Sequence, residues 1–425
     1  MHQESDLPGV CPRRRRCIAT VPGPARLPPA KAGPTYTPRV PRGTRERRGN
    51  ARARPRDRTI EEPYVRVVVA PDKFAGTLSA REAAEAVARG WRRARPDDEL
   101  ALIPTADGGE GTLDVVADAV SGVRVHEAEV VDATGHARTA RWVALPSGPA
   151  LVEGAEACGL AHVSPEHRDP RWATSYGVGQ LIRTATDSGV TRIVVTLGGT
   201  ATVDGGAGAV LALGHRLRRP DGNGVKVGAL PLLDLATIEP APALEVPVTA
   251  AVDVANPLLG PDGAVAVFAP QKGASPEDLP RLEEALTRFA DVVEGTLPGG
   301  PWREVPGAGA AGGLGFALAA FCDARLEGGA AAVAALTGLD RALDHADVVV
   351  TGEGRLDAQT RHSKAPGWVR DRAHAAGARA LAIAGQILED AGAAFDDAAD
   401  LGPHGFERAA ELVAERAAEL AGRLP

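Results

Sequence analysis

Residues 64–94 read YVRVVVAPDKFAGTLSAREAAEAVARGWRRA, and this stretch decides the fold. Its β-branched run from Val65 to Val69 is the pattern of a buried strand. Ser79 as N-cap, with Glu82 at the capping-box position, opens the helix that follows. Strand, loop and helix in that order are the repeating unit of α/β proteins.

Outward from there the same grammar recurs. RIVVTLGG (192–199) is a strand entering a glycine loop, and GAGAVLALG (206–214) is the helix after it. VPVTAAVDV (246–254), ADVVVTGEG (346–354) and ALAIAGQI (380–387) read as strands, and PEDLPRLEEALTRFADVVEG (276–295) as a helix. Short apolar strands alternating with helices predict a largely parallel sheet. The stretch VRVHEAEVVDATGHARTARWVALPSGPALVEGA (123–155) differs, alternating and broken by turn residues as hairpins are. It predicts a second α/β domain built on a mixed sheet.

The N-terminal part is a different object. Residues 1–62 carry 15 Lys and Arg against 6 Asp and Glu, although the 425-residue chain as a whole has a net charge of −7. Rich in Pro and Arg, aperiodic and poor in large apolar residues, this extension is expected to be disordered. Its recurrent prolines argue against an amphipathic targeting helix. The acidic remainder argues against a nucleic-acid partner. No run of about 18 apolar residues occurs, so no membrane partner is expected. Cys11, Cys17, Cys158 and Cys322 form no CxxC pair, which fits a reducing, cytoplasmic setting without a disulfide framework.

In open α/β sheets ligands bind beyond the carboxyl ends of the strands, so each strand end is a candidate. APDKFAGTLS carries Asp72 and Lys73, and TADGGEGT carries Asp107 and Glu110. TLGGTATVDGGAG carries Gly198, Gly199 and Asp204, while AAVDVANPLLGP carries Asp253 and Asn256. VTGEGRLDAQT carries Glu353, Arg355 and Asp357, and the loop PGAGAAGGLG carries Gly312 and Gly313. Glycines let backbone amides approach phosphate, and carboxylates hold Mg²⁺ and orient a nucleophile. Any one of these loops could serve only as a tight turn; several together point to a metal-bound polyphosphate.

Lysine usage points the same way. The five lysines are Lys31, Lys73, Lys226, Lys272 and Lys364, and all other basic residues are arginine. Lys73, Lys272 and Lys364 lie in or beside the loops above, whereas Lys226 reads as a surface turn. A compact ammonium suits point neutralisation of phosphate or carboxylate.

Other motifs are weaker. No GxxxxGK[ST] is present, which excludes a Walker-type P-loop. GAGAAG (307–312) matches a dinucleotide fingerprint by letters but lacks a preceding strand. ATSYG (173–177) is a near miss for a nucleophile elbow, and Ser175 with Tyr176 is expected to begin a helix instead. His162, His167 and His362 show no ligand spacing.

VVAPDKFAGTLSAREAAEAV, PTADGGEGT, LGGTATVDGGAG, VDVANPLLGPDGAVAVFAPQKGA, PGAGAAGGLG and VVVTGEGRLDAQT, in this order, resemble the bacterial glycerate kinase type I family. The resemblance runs from about Val65 to near residue 387. The family commonly reads Ser-Phe-Lys after the first Asp, where this chain has Lys73-Phe74-Ala75, and Asn where Val203 precedes Asp204.

The resemblance implies ATP- and Mg²⁺-dependent phosphorylation of D-glycerate, usually to 2-phosphoglycerate, in a cleft between a flavodoxin-like domain and one with a restriction-enzyme-like core. The expected division is a disordered extension over 1–62, a discontinuous flavodoxin-like domain over 63–125 and 290–398, an inserted mixed-sheet domain over 126–289, and a C-terminal helix over 399–425. Expected roles follow from the strand-end acids. Asp204 is the first candidate for the base and Asp72 the second, with Lys73 as a further catalytic residue. Lys73 or Arg355 would take the substrate carboxylate. Asp107, Glu110 and Asp253 would contact substrate, and Asp107 and Glu353 would hold the metal. Gly198, Gly199, Gly312, Gly313, Lys272 and Lys364 would bind ATP. A nicotinamide-dependent dehydrogenase of a small hydroxy acid, and a non-catalytic sugar-acid or nucleotide sensor, are the alternatives. Self-association is left open.

Overall fold

A computed structural model describes residues 64–357, 364–388 and 390–425. The 1–62 extension, Cys11, Cys17 and His362 lie outside the described residues. Thirteen strands are present among those described: β1 (Arg66–Val69), β2 (Glu99–Leu102), β3 (Arg124–Val131), β4 (Ala137–Ala144), β5 (Pro149–Glu153), β6 (Arg192–Thr196), β7 (Arg216–Arg218), β8 (Thr237–Glu239), β9 (Val248–Val252), β10 (Arg325–Gly328), β11 (Val348–Leu356), β12 (Arg379–Ile387) and β13 (Asp397–Asp400).

The opening stretch folds as its sequence dictates. β1 is buried through Val67, Val68 and Val69. The helix Ala80–Ala94 starts from a complete capping box, the Ser79 hydroxyl accepting from the Glu82 amide while the Ser79 amide donates to Glu82 at 2.8 Å. Its inner face packs on the helix Ala409–Gly422, closely enough that a Cβ on Gly90 would stand 1.9 Å from the Ala414 carbonyl oxygen. Trp91 is fully buried there, its indole donating to Asp98 at 2.8 Å.

The first sheet is entirely parallel, in the order β13-β12-β11-β1-β2. Counted along the chain, its five strands stand in the order 2-1-3-4-5 of the flavodoxin-like doubly wound fold, whose switch point lies between β1 and β11. Apolar clusters cover both faces, one around Val67, Val87 and Val413, the other around Val68, Val349 and Val369.

The second sheet is mixed, in the order β10-β9-β6-β5-β4-β3. β3, β4 and β5 pair antiparallel, as the alternating 123–155 stretch predicts, and β5, β6, β9 and β10 run parallel. The expected α/β class with one parallel and one mixed sheet is therefore observed. β7 and β8 form a separate ribbon.

One element ties the two sheets. The helix Thr112–Ala119 follows β2 of the first sheet, yet its Leu113 and Val116 pack against Val143, Leu151 and Val194 of the second. Burying those side chains fixes the loop in front of the helix, TADGGEGT, against the second sheet's strand ends.

Candidate active site

At the switch point, β1 and β11 deliver Asp72 and Glu353 side by side, and the loop after β2 adds Asp107. The chain just beyond β1 is tied on both sides: the Asp72 amide donates to the Gly352 carbonyl at 2.8 Å, and Thr105 donates to the Pro71 carbonyl at 3.0 Å. Asp72 is only 8% exposed, with the Lys73 amide on its Oδ1 at 2.6 Å. Burial, then the neighbouring charge of Asp107 and more weakly that of Glu353, pushes the Asp72 carboxyl up to about 8. Asp253, beyond β9 of the second sheet, is raised by burial first and by Asp107 second. Asp72 and Asp253, from the two sheets, thus both face Asp107, with Glu353 beside Asp72.

Cations border this cluster. The exposed Lys73 ammonium donates to the Glu110 carbonyl, and Lys364 stands 3.4 Å from Glu353 and 3.9 Å from Asp357. Arg355 is largely exposed and pairs with Asp357 at 3.3 Å. The Asn256 side-chain amide donates to the Asp262 carbonyl at 2.8 Å.

The glycine loops of the two sheets touch directly. Gly198 donates to the Gly108 carbonyl at 3.2 Å, and a Cβ on Gly198 would lie 2.6 Å from the Gly109 Cα. Gly199 has φ +75° and is exposed, facing Glu110. Gly312 and Gly313 lie elsewhere: both are buried, and a Cβ on either would strike Thr202 or Gly205 at 2.0 and 2.7 Å. They let the helix Ala310–Cys322 back the 198–208 loop closely.

Asp204 is fully buried and its two oxygens are occupied. It accepts from the Ser175 amide and hydroxyl at 2.8 and 2.9 Å and from the amides of Gly206 and Gly208 at 3.1 Å each. Burial raises its carboxyl and those donors pull it back. The arrangement pins the start of the helix Tyr176–Asp187 to that of the helix Ala207–Ala212. Ser175 does begin its helix, and its hydroxyl faces Asp204 and the Ala209 amide. Lys272 is 4% exposed, donating to the Thr202 carbonyl at 2.8 Å and lying 3.5 Å from the Thr200 hydroxyl. Burial lowers its ammonium to about 8, opposed by Cys158 and Asp204.

One positioning residue escapes the sequence motifs. Glu153, at the end of β5, is 2% exposed and accepts the Gly111 amide at 2.9 Å and the Leu113 amide at 2.7 Å. A second-sheet carboxylate therefore caps the helix that follows the first sheet's acidic loop, where the helix dipole favours negative charge. Burial raises Glu153, and the two amides counter it. Its only sequence signal was an acid at a strand end.

The donor set suits a hard divalent cation. Among the described residues no group of three or more His, Cys, Asp or Glu is arranged as a metal cage. Mg²⁺ does not need one, since it commonly takes one or two carboxylates and completes its shell with water and substrate phosphates. Asp107 and Glu353 fit that use.

Comparisons with known proteins agree along most of the chain. The glycerate kinase family profile matches residues 67–418. A glycerate kinase of Halalkalibacterium halodurans is 40% identical over 353 residues, 82% of this chain and 90% of that protein. One of Bacillus subtilis is 38% identical over 375 residues, covering 85% and 98%. A glycerate 2-kinase of Escherichia coli is 39% identical over 334 residues, covering 77% and 87%. A crystal structure from Salmonella typhimurium LT2, provisionally named glycerate kinase 2, superposes with a TM-score of 0.76 at 39% identity, over 84% of this chain and 97% of that one.

Proposed function

The chain belongs to the glycerate kinase family, it is a kinase that phosphorylates glycerate at the expense of ATP, and we propose that the reaction takes place where Asp72, Asp107, Glu353 and Asp253 converge. D-Glycerate is the substrate in this reading and 2-phosphoglycerate the product. The observation that carries it is the convergence of strand-end acids from both sheets on Asp107, beside Lys73 and the exposed Gly199.

Lys73 or Arg355 holds the glycerate carboxylate by charge. Asp72 is the base: buried at the switch point, it accepts the hydroxyl proton as that oxygen bonds the γ-phosphorus and ADP leaves. Asp204, its oxygens taken by four donors, holds the glycine loop in shape. The amide of the exposed Gly199 faces phosphate, while the Gly198 amide stays on the Gly108 carbonyl and holds the two loops together, and Lys364 neutralises charge as it develops. Asp107 and Glu353 would hold Mg²⁺, which supplies charge neutralisation across the transferring phosphate. Glu153 keeps the acidic loop in place. We propose also that the two sheets mark two domains, with the chain passing back to the first between β10 and β11. A cytoplasmic setting belongs to the same proposal. Among the described residues no helix is long and apolar enough to cross a membrane.

The test is direct. The purified full chain, given D-glycerate, ATP and Mg²⁺, should release ADP only when glycerate is present and yield the ³¹P signal of 2-phosphoglycerate. A 3-phosphoglycerate signal would move the reacting hydroxyl. No ADP from folded protein would remove D-glycerate as the substrate, and hydride transfer to a nicotinamide would favour a dehydrogenase.

A further inference from the structure

A cavity of about 200 Å³ is lined by none of the clustered acids, but it reaches the 198–204 loop through Ala201. Its apolar lining comes from the small buried side chains of Ala133, Val163, Ala173 and Ala201, and Trp172 stands at its mouth with Arg168. Trp172 is 55% exposed. An indole left in water over an apolar floor offers a face for stacking a planar ring. The volume is below the roughly 300–1,000 Å³ that whole drug-sized ligands fill, so the cavity suits one moiety of a longer molecule.

The loop from Gly198 to Asp204 supplies the rest of that molecule's track. Gly198 touches Gly108 and Gly109 at the acid cluster, and Ala201 lines the cavity. Two residues lie between them, a span of at most about 11 Å, of the order of a triphosphate chain. Behind the same loop, the buried Lys272 ammonium lies 3.5 Å from the Thr200 hydroxyl, between the two ends, and donates to the Thr202 carbonyl just past Ala201. The loop is itself held in place, Leu160 donating to the Gly199 carbonyl at 2.7 Å and Ala201 to the Cys158 carbonyl at 2.8 Å.

From this continuity we propose that the cavity binds the nucleoside of the phosphate donor, its base stacked on Trp172 and its phosphates laid along 198–202 toward Asp72. The inference rests on the kinase reading for the direction of the phosphates. Arg168 stands where the ribose passes into the phosphate chain. Ala173 and Ala201 stay small to leave room for the base.

The experiment compares the full-length protein with its Trp172→Ala and Trp172→Phe variants, using ATP and inorganic tripolyphosphate as probes. Steady-state kinetics give KM for ATP and for glycerate, and calorimetry gives direct binding of each probe. Stacking of one base predicts that Trp172→Ala weakens ATP about tenfold while tripolyphosphate binding and KM for glycerate stay within about twofold, with Trp172→Phe recovering most of the loss. If Trp172→Ala leaves ATP within about twofold, or weakens tripolyphosphate as much as ATP, no base stacks there. A wild-type protein that binds ATP without turning over glycerate would sink the kinase reading alone, since calorimetry with the same variants still decides the pocket. Failure of the wild type to bind ATP would overturn the pocket.

Discussion

The Gly198 amide donates to the Gly108 carbonyl at 3.2 Å, joining a loop of the mixed sheet to a loop of the parallel sheet at the point where the acids gather. Only glycine permits this approach, because a methyl group on Gly198 would stand 2.6 Å from the Gly109 Cα. Gly198→Ala should therefore push the two loops apart. A misplacement of about 1 Å can cost about a hundredfold in rate. kcat/KM for glycerate should fall, with the melting temperature changed less, and a variant with wild-type kinetics would show that the contact does not set the site.

Glu153 works on the same junction from the other side. Glu153→Ala leaves the Gly111 and Leu113 amides without their acceptor, at a cost of about 1–3 kcal/mol for each group stranded from water. Glu153→Gln keeps one carbonyl oxygen and should recover part of the loss. Denaturant titration alongside kcat/KM checks both, and equal behaviour of the two variants would argue that the hydrogen bonds are not what matters.

Asp204 should behave as a stability residue. Asp204→Ala strands the Ser175, Gly206 and Gly208 amides in a fully buried place, and at least about 2 kcal/mol of unfolding free energy should go. Urea unfolding measures it. A variant of wild-type stability with abolished kcat would return the role of base to Asp204.

His215 sets a pH dependence. Its Nδ1 accepts the Ala241 amide at 2.9 Å and its ring stands edge-on to Phe321. Burial first, and the Arg183 charge second, push it from the ordinary 6.5 to about 4. The fold keeps this imidazole neutral, whereas the unfolded chain takes up a proton as pH drops below 6.5. Its contribution is thus fully present above that pH and lost progressively toward about 4. Unfolding free energy measured across this range should fall as pH drops, and His215→Gln should flatten that part of the curve. An unchanged slope would place the titration elsewhere.

Much of the fold was legible because it is local. The valine run of β1, the Ser79 cap and the alternation of β3 and β4 are each written within a few residues, and each appears as expected. The short strands RLEG of β10 and DAAD of β13 carry no apolar run and were not legible; they form by pairing with β9 and β12. At the site, the strand-end rule picks out Asp72, Asp107, Asp253 and Glu353, which the fold brings together. What it lacks is partnership over distance. Glu153 meets amides 42 and 40 residues away, and Asp204 meets Ser175 29 residues away. Glycine content likewise does not distinguish the exposed Gly199 from the closely packed Gly198, Gly312 and Gly313, because an exposed amide and a close backbone crossing both call for the missing side chain.

Asp72→Asn tests the central claim most directly, since it removes the proton acceptor at the switch point and changes little else in volume. kcat should fall about a hundredfold or more, the size of a lost general base, while ATP binding and melting temperature stay at wild-type values. A kcat within about tenfold of wild type, in a variant of unchanged stability, would contradict Asp72 as the base, since that is only about 1.4 kcal/mol of barrier.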